Sequence, residues 1–253
     1  MTAVLIDLNA DVGERPGQEG LDADASIVEG VSSLSVACGF HAGDGATMQA
    51  LCGLAVAQRK RIGAHVSYLD REGFGRRDAN VDAETLGEQV VQQIRALQVA
   101  AGVVGGAVTY VKPHGALYNR AAVDRERANA VAWAVAAVDQ NLILLGPPQS
   151  ELLAAATRYG LEGVAEGFAD RAYGADGQLV SRDDPGSVLS AEEAVAQAKM
   201  IATEQHAIAV DGSVIALAVR SLCLHSDTPG AAELAVRLRN ALIGAGCEVR
   251  PFS

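Results

Sequence analysis

The stretch 110–119 carries the side chains best suited to chemistry, and it reads Tyr-Val-Lys-Pro-His-Gly-Ala-Leu-Tyr-Asn. A short β-rich run ends here, and Lys112 and His114 occupy alternate positions, which share one face of an extended chain. An ammonium stabilises negative charge and an imidazole transfers protons, while Asn119 adds a polar amide. The alternative is a strand end whose polar residues only meet solvent.

A second group lies near the start of the chain, in the apolar run 4–14. Asp7, Asn9 and Asp11 occupy alternate positions of this run, so they share one face of a strand. Such a row could bind a cation, orient an N–H group of a substrate or supply a general base. The alternative is an exit from a strand into a loop, which Gly13 would allow. We favour a functional role, because burying two unpaired Asp residues would be costly.

Two further strand-like runs end on a histidine. His41 ends the first, and Asp44 follows closely enough to set the tautomer of its ring. His65 ends the second. A lone histidine at a strand end is more often structural than a ligand, so both interpretations remain open for each residue.

The loop that follows His65 is rich in glycine and charge, with Asp70, Arg71 and Arg76 among its residues. The planar guanidinium group binds carboxylates and phosphates through paired hydrogen bonds, so this loop could recognise an oxyanion. The alternative is a solvated surface cluster whose charges pair among themselves.

The same arrangement recurs in the second half of the chain. Glu166 and Arg171 follow one predicted strand, and Cys223 and His225 end another. We interpret Cys223 as a small buried residue, because no activating pattern surrounds its thiol. The loop 175–189 is long enough to form a lid.

Strand-like and helical runs alternate about seven times, which is typical of βα units and a parallel sheet. Helical spacing is clear after Asp82, a predicted N-cap, and Ser190 with Glu193 forms a capping box. Four of the histidines fall at the carboxyl ends of predicted strands, and His206 is interpreted as structural or exposed. Because the βα loops of an α/β barrel converge at those ends, we predict a closed or nearly closed barrel over residues 1–253, as one domain with its site at the mouth.

Composition narrows the classes of partner. The chain has 253 residues and a net charge of 20 − 31 = −11, without a dense basic cluster. A nucleic acid or an anionic membrane surface is therefore not an expected partner. The sequence shows no signal peptide, no apolar stretch of spanning length and no CxxC pair among its four cysteines, so we expect a reduced cytoplasmic protein. Neither GxGxxG nor GxxxxGK[ST] occurs, so the two common nucleotide loops are not expected.

Taken together, these motifs resemble the family of the 5-oxoprolinase A subunit, also called the LamB/YcsF lactam-utilisation family. The matching stretches run in family order: Asp7-Leu-Asn-Ala-Asp-Val-Gly-Glu14, Ala37-Cys-Gly-Phe-His-Ala-Gly-Asp44, Ile62-Gly-Ala-His65 with Asp70-Arg71 and Phe74-Gly-Arg76, Val111-Lys-Pro-His-Gly-Ala-Leu-Tyr-Asn119, Phe168-Ala-Asp-Arg-Ala-Tyr173, and Cys223-Leu-His225 with Asp227. The sequence departs from the family pattern at Val66, Leu69 and Ser181, where proline is usual, and at Ser226, where glycine is usual.

The resemblance implies an α/β fold, an irregular seven-stranded β/α barrel akin to the carbohydrate-deacetylase superfamily. It also implies one component of an ATP-dependent enzyme that opens the lactam of 5-oxoproline to give glutamate. Two further subunits that resemble parts of allophanate hydrolase would complete this enzyme. ATP with Mg²⁺ would then be bound largely with those partners. Whether the chain also forms a homo-oligomer stays open.

Under this hypothesis, three sets of residues have roles. The catalytic set is Asp11, His65, Lys112, His114 and His225. The substrate-binding set is Asn9, His41, Asp70, Arg71, Arg76, Asn119, Glu166 and Arg171. A variant places a divalent metal at the barrel mouth on Asp7, Asp11, His41 and His65. Lys112 and an arginine would neutralise the substrate carboxylate or a developing oxyanion, Asp11 or His114 would be the base, and His65 or His225 the acid.

Two rival functions follow from the same residues. The first is a stand-alone metal-dependent amidohydrolase or deacetylase that uses no ATP. The second is a binding component that holds a carboxylated lactam without catalysing its opening. The second is less favoured, because recognition of a carboxylate needs an arginine or two and not four histidines.

Overall fold

The computed structural model describes residues 3–182, 184–226 and 230–252. Within these ranges, strands and helices alternate along most of the chain. The strands are β1 (Val4–Val12), β2 (Ser33–Ala37), β3 (Arg61–Val66), β4 (Val108–Pro113), β5 (Ile143–Gly146), β6 (Gly163–Phe168), β7 (His206–Ile208), β8 (Val214–Ala216), β9 (Ser221–His225) and β10 (Cys247–Val249). The helices are α1 (Gly17–Val28), α2 (Gly45–Ala57), α3 (Ala83–Val103), α4 (Gly115–Val123), α5 (Arg125–Val138), α6 (Glu151–Arg158), α7 (Ala191–Glu204) and α8 (Ala231–Gly244).

Seven of the strands close into a parallel barrel in the order β1-β2-β3-β4-β5-β6-β9. The barrel closes because β9 pairs back onto β1, with Asp7 opposite Ser221 and Asp11 opposite His225. The prediction of an irregular seven-stranded β/α barrel is therefore confirmed. A β10 strand beside the start of β1 and a β7–β8 hairpin were not predicted, since each of these strands has only 3 residues.

β1 shows how the barrel acquires a polar interior. Leu8 and Ala10 are fully buried in the apolar layer between the strands and the helices. The alternate residues Asp7, Asn9 and Asp11 are also buried, and each bonds to side chains from other strands. Because successive side chains of a strand point to opposite faces, one strand supplies both the core and the site.

Two helix starts lie where local signals predicted them. Asp82 caps α3 by accepting a hydrogen bond from the backbone N–H of Thr85. Ser190 and Glu193 form the predicted capping box at the start of α7.

The region after His114 forms two helices. Asp124 is extended and ends α4, while its carboxylate caps α5. One residue, His114, separates β4 from α4 and is the N-cap of that helix, and Asn119 lies within α4.

α1 lies between β1 and β2 along the chain. Its buried face consists of Gly20, Asp24, Ile27 and Val28. Two of these residues are not apolar, so the helical hydrophobic pattern is weak in the sequence although the spacing is helical.

The loop 175–189 lies at the barrel mouth, where residues 178–182 face the central cavity. The guanidinium of Arg171 holds it by donating to the carbonyls of Val180 and Ser187. Asp183 of this loop lies outside the described residues, and movement of the loop as a lid stays a prediction. In the part of the chain that the structure describes, no helix combines the length and apolarity that crossing a bilayer requires.

Candidate active site

A cavity of about 420 Å³ opens at the carboxyl ends of the barrel strands. Most of the predicted site residues line it: Asp11, His65, Arg76, Lys112, His114, Asn119, Arg171 and His225. Asn9, His41 and Glu166 lie behind this wall and contact the lining residues. Asp7, Asp70 and Arg71 lie away from the cavity and make other contacts.

Glu14 is the centre of a buried cluster that the sequence did not single out. Gly13 has φ 78°, a left-handed turn that glycine adopts without strain, and it directs Glu14 back toward the mouth. The Oε1 of Glu14 lies 3.2 Å from the Nε2 of His41, 3.6 Å from the Nε2 of His65 and 3.1 Å from the Nδ1 of His114. The Nδ1 of His114 lies 3.0 Å from the Nε2 of His65. One carboxylate oxygen therefore meets three imidazoles, which lie after β2, on β3 and after β4.

The ring nitrogens that point away from Glu14 identify the tautomers of these three histidines. The Nδ1 of His65 faces the carbonyl of Lys112, and the Nε2 of His114 faces the carbonyl of Phe74. Carbonyls only accept, so both of these nitrogens must carry hydrogen. The Nδ1 of His41 faces the hydroxyl of Ser67, which already donates to a backbone carbonyl and so accepts from the ring. In neutral rings, the nitrogens nearest Glu14 therefore carry no hydrogen, and they present lone pairs to Glu14 and to one another.

Acceptors this close require a proton or a cation between them. Burial, followed by the charge of His114, lowers the pKa of His41 to about 3, so His41 is neutral. Burial opposes ionisation of Glu14, but its interactions with His114 and His41 hold its pKa well below the usual value. Ligand atoms around a tetrahedral Zn²⁺ lie about 3.3–3.6 Å apart, given metal–ligand distances of about 2.0–2.2 Å. The buried Glu14, His41, His65 and His114 could hold a metal ion, since their ligand atoms all lie within 4.8 Å of one another.

The predicted metal set requires a correction at Asp7. Its carboxylate lies deeper in the barrel and accepts hydrogen bonds from Ser32, Ser33 and Ser221. Burial raises the pKa of Asp7 to about 6. Asp7 thus lies on the same face of β1 as Asp11 but deeper in the barrel. Glu14 lies beside His41 and His65 instead.

Lys112 occupies the centre of the barrel below the cavity. Its Nζ lies 2.8 Å from Asp11, 3.0 Å from Glu166, 3.0 Å from the Sγ of Cys223 and 3.3 Å from the Oδ1 of Asn9. Burial disfavours the ammonium, but Asp11 and its neighbours outweigh this and raise the pKa of Lys112 well above the usual value. An ammonium has three N–H groups, and all of them face protein acceptors here. This geometry disagrees with the expectation that Lys112 neutralises a charge on the substrate.

The charge of Lys112 acts instead on Asp11. Burial opposes the ionisation of Asp11, but His65 and Lys112 hold its pKa well below the usual value. The thiol of Cys223 stays protonated, because burial raises its pKa. Cys223 therefore matches its interpretation as a small buried residue.

His225 forms a pair with Asp170 at the wall of the cavity. The Oδ1 of Asp170 lies 3.0 Å from the Nδ1 of His225, and its Oδ2 accepts from the backbone N–H of His225 at 3.1 Å. The ring of Phe168 stacks on His225 with centroids 5.4 Å apart. Asp170 is fully buried, and the sequence pattern assigned no role to it although it lies in the stretch 168–173. Asp227, which the family pattern adds to this group, lies outside the described residues.

The charged loop after His65 is held together mainly by its own contacts. Asp70 pairs with Arg77 at 2.6 Å. Arg71 donates to the carbonyls of Gly39 and Gly43, which ties this loop to the loop after β2. Arg76 lies over the ring of Phe74, 4.8 Å from its centroid, and reaches the cavity. Of the three charged residues predicted here, Arg76 is therefore the one that lines the cavity.

Asp44 does not act on His41 as the sequence suggested. Its carboxylate accepts from the backbone N–H of Thr47 and caps α2. The ring of His41 is oriented by Ser67 and Glu14. The carboxylate of Asp44 is therefore engaged by the backbone at the start of α2.

Comparisons with known proteins agree with this geometry. A family model described as the LamB/YcsF family matches residues 6–253. A protein of Streptomyces coelicolor, named as the A subunit of 5-oxoprolinase, is 50% identical over 250 residues, which cover 98% of this chain and 100% of that protein. The lactam utilization protein from Thermus thermophilus is 40% identical with a TM-score of 0.90 and covers 98% of this chain and 100% of that chain.

A third comparison concerns the fold alone. The catalytic domain of the peptidoglycan N-acetylglucosamine deacetylase from Eubacterium rectale has a TM-score of 0.52 at 12% identity, covering 100% of this chain and 90% of that chain. The predicted likeness to the carbohydrate-deacetylase fold is confirmed.

Proposed function

The chain belongs to the LamB/YcsF family, and we propose that it is the component of a multi-subunit 5-oxoprolinase in which the lactam of 5-oxo-L-proline is opened to L-glutamate. Relatives at about half identity over nearly the whole chain are named as the A subunit of 5-oxoprolinase, which supports the subunit role. The observation that carries the proposal is the mouth cavity, where a buried carboxylate–imidazole cluster faces an Asp–His pair.

Opening a lactam requires a nucleophile at the carbonyl carbon and a proton for the leaving nitrogen. His225 is the proposed proton-transfer residue, because Asp170 holds its Nδ1 and thereby leaves its Nε2 to exchange protons in the cavity. His65 and His114 are less suited to this role, since both nitrogens of each ring already face partners. Asp170 is a positioning residue that fixes the tautomer of His225.

Asp11 is proposed to orient the attacking water as a fixed carboxylate. Its depressed pKa makes it a weak base, and the Lys112 ammonium keeps it charged. Its Oδ2 lies 3.3 Å from the Nε2 of His65, which places it between the cluster and the cavity. Asn119 and Arg76 at the rim, with Arg171 behind the loop 175–189, are proposed to recognise the substrate carboxylate.

Glu14, His41, His65 and His114 would hold a divalent cation, and a bound cation would supply Lewis acidity and lower the pKa of a water ligand. The chain's own contribution is the set of outer partners on each ring, which hold the imidazoles in the tautomer that binds a metal.

ATP with Mg²⁺ is proposed to be bound largely by two partner subunits that resemble parts of allophanate hydrolase. The sequence contains neither common nucleotide loop, which supports binding of ATP by the partner subunits. ATP would activate the stable amide by phosphorylation. We also propose that residues 1–253 act as one cytoplasmic domain.

The test is ATP hydrolysis stimulated by 5-oxoproline, measured with this chain alone, with the partner subunits alone and with all of them together. Lactam-dependent turnover only in the full mixture, lost with His114→Ala or His225→Gln, is the expected result. His206→Gln is the matched control, because His206 lies on β7 away from the cavity. Equal turnover without this chain would remove it from the reaction.

A second candidate is a stand-alone metal-dependent amidohydrolase, and the Glu14 cluster is the observation that favours it. It predicts amide hydrolysis by the chain alone, without nucleotide, that a chelator abolishes. The ATP measurement with separated subunits distinguishes the two candidates.

A further inference from the structure

Gln93 is a polar residue on the buried side of α3, and the proposed roles leave it unused. The other buried side chains along this helix include Leu86, Val90, Ile94 and Leu97, which are all apolar. Gln93 is itself fully buried. Burying a side-chain amide is costly unless its polar atoms are hydrogen-bonded. A glutamine in the apolar face of a helix therefore indicates a specific partner.

The partner of Gln93 is the backbone of Ser67, one residue after the end of β3. The Oε1 of Gln93 accepts from the backbone N–H of Ser67 at 2.9 Å, and its Nε2 donates to the carbonyl of Ser67 at 2.9 Å. β3 pairs with β4 as far as Val66 opposite Pro113, so Ser67 lies beyond this ladder. A side-chain amide carries the same donor and acceptor as a peptide group. Gln93 therefore bonds to Ser67 as a neighbouring strand would.

The side chain of Ser67 connects this contact to the histidine cluster. Its hydroxyl donates to the carbonyl of Tyr68 and lies 2.9 Å from the Nδ1 of His41. His41 lies after the end of β2, so no strand ladder orients its ring. The contact with Ser67 fixes the Nδ1 side of the ring, while the Nε2 lies 3.2 Å from the Oε1 of Glu14. The position of the Ser67 backbone therefore sets the direction in which His41 points.

We propose that Gln93 is a positioning residue for the cation site at Glu14, a role that rests on the proposed function. Gln93 holds the backbone of Ser67, and the Ser67 hydroxyl thereby holds His41 with its hydrogen on Nδ1 and its Nε2 toward the metal position. Partners behind a metal-binding imidazole fix its tautomer and the orientation of its ring. Gln93 does not line the cavity, so its effect on the site passes through Ser67.

The alternative is that Gln93 matters only for the stability of the fold. Gln197 on α7 provides a matched comparison, because it is also buried and also bonds to the backbone after a strand. Its Nε2 donates to the carbonyls of Phe168 at 2.9 Å and Arg171 at 2.8 Å, in the region where β6 ends. Loss of either glutamine should lower stability, but only loss of Gln93 should disturb His41.

The experiment compares Gln93→Met with Gln197→Met and with Gln92→Met, which changes an exposed neighbour on α3. Imidazole ¹H–¹⁵N NMR spectra of the chain, with and without Zn²⁺, follow the Nδ1–H of His41, which is assigned by its absence in His41→Ala. Titration with Co²⁺ gives the dissociation constant for a metal, and urea unfolding gives the stability of each variant. Ser67→Ala is a second test, because it keeps the backbone pairing with Gln93 and removes only the hydroxyl.

The expected result is a slowly exchanging Nδ1–H signal of His41 in the wild type, Gln92→Met and Gln197→Met, and its loss in Gln93→Met and Ser67→Ala. The dissociation constant for Co²⁺ should rise about tenfold in Gln93→Met, the lower end of the range for such partners. An unchanged signal and affinity in Gln93→Met, or an equal loss in Gln197→Met, would overturn the inference and leave the proposed function standing. A signal retained in Ser67→Ala would overturn it even if Gln93→Met does not fold. If the wild type binds no Co²⁺, the proposed cation site fails, and the role of Gln93 fails with it.

Discussion

The Nδ1 of His114 lies 3.0 Å from the Nε2 of His65, and the backbone carbonyls behind both rings direct their hydrogens away from this contact. Two lone pairs at that distance repel each other. The Glu14 carboxylate beside them adds a third acceptor. The cluster is therefore built for a positive charge at its centre, supplied by a metal ion or by protons on the imidazoles.

The cluster should bind about one divalent metal ion per chain. We expect Co²⁺ to give the visible absorption of a tetrahedral site, lost in His41→Ala and in Glu14→Gln and kept in the control His206→Gln. Free metal at about 100 times its dissociation constant should raise the free energy of unfolding by about 2.7 kcal/mol. A chain whose stability and spectrum ignore added metal would instead indicate that protons fill the cluster.

Asp170→Asn should reduce turnover by about 10²-fold or more, within the range of general acid–base catalysis, while KM for the lactam changes little. An amide in place of the carboxylate offers the Nδ1 of His225 a weaker or reversed hydrogen bond. The pH dependence of kcat checks this, because its shape should change when the Asp170 carboxylate is lost. Asp139→Asn, on an exposed residue, is the control. A proportional fall of kcat at every pH would mean that Asp170 is only structural.

Lys112→Met should destabilise the protein by roughly 3–5 kcal/mol, because it leaves two buried carboxylates without their shared cation. These carboxylates belong to Asp11 and Glu166, at 2.8 Å and 3.0 Å from the Nζ. Urea unfolding of the variant against Lys199→Met, an exposed lysine on α7, is the measurement. A loss below about 1 kcal/mol would contradict the account of Lys112 as the charge partner of both carboxylates.

Asp7→Asn should flatten the pH dependence of stability between about pH 4 and pH 6. Burial raises the pKa of Asp7 from 3.8 to about 6, so in this window the folded state holds a proton that the unfolded state has released. Stability due to Asp7 therefore falls as the pH rises, by roughly 3 kcal/mol in total. Denaturant midpoints at several pH values check this, with Asp22→Asn on the exposed face of α1 as the control. If the slope of stability against pH were unchanged, another group would have to titrate in this pH range.

Much of the fold was predictable, because its signals are local. Alternating polar residues at strand ends placed Asp11, His65, Lys112, His114 and His225 at one mouth, and all of them line the cavity. The catalytic and binding roles given to them stay predictions. The short strands β7, β8 and β10 were missed, because three residues are too few to show an alternating pattern of apolar and polar side chains.

The missing parts of the site depend on tertiary contacts. Glu14 follows a left-handed glycine, and only the backbone geometry shows that its carboxylate turns inward. Asp7 lies on the same face of β1 as Asp11. The alternation of side chains along a strand shows which face each occupies, but it does not show how deep in the barrel each lies. Lys112 looked like a substrate contact because its carboxylate partners are 101 and 54 residues away in sequence, on β1 and β6 (112 − 11 = 101; 166 − 112 = 54).

The pairing of β1 with β9, which closes the barrel, also has a consequence for the synthesis of the chain on the ribosome. β1 is made first and β9 (Ser221–His225) is made last among the barrel strands, yet Asp11 pairs in register with His225. A growing polypeptide cannot close the barrel until β9 has left the ribosome, so until then Asp7 lacks Ser221 and Asp11 lacks Cys223. Contacts of such long sequence separation form slowly. Prematurely terminated chains that stop before β9 would therefore expose an unfinished polar interior, which quality-control proteases could recognise before any activity existed.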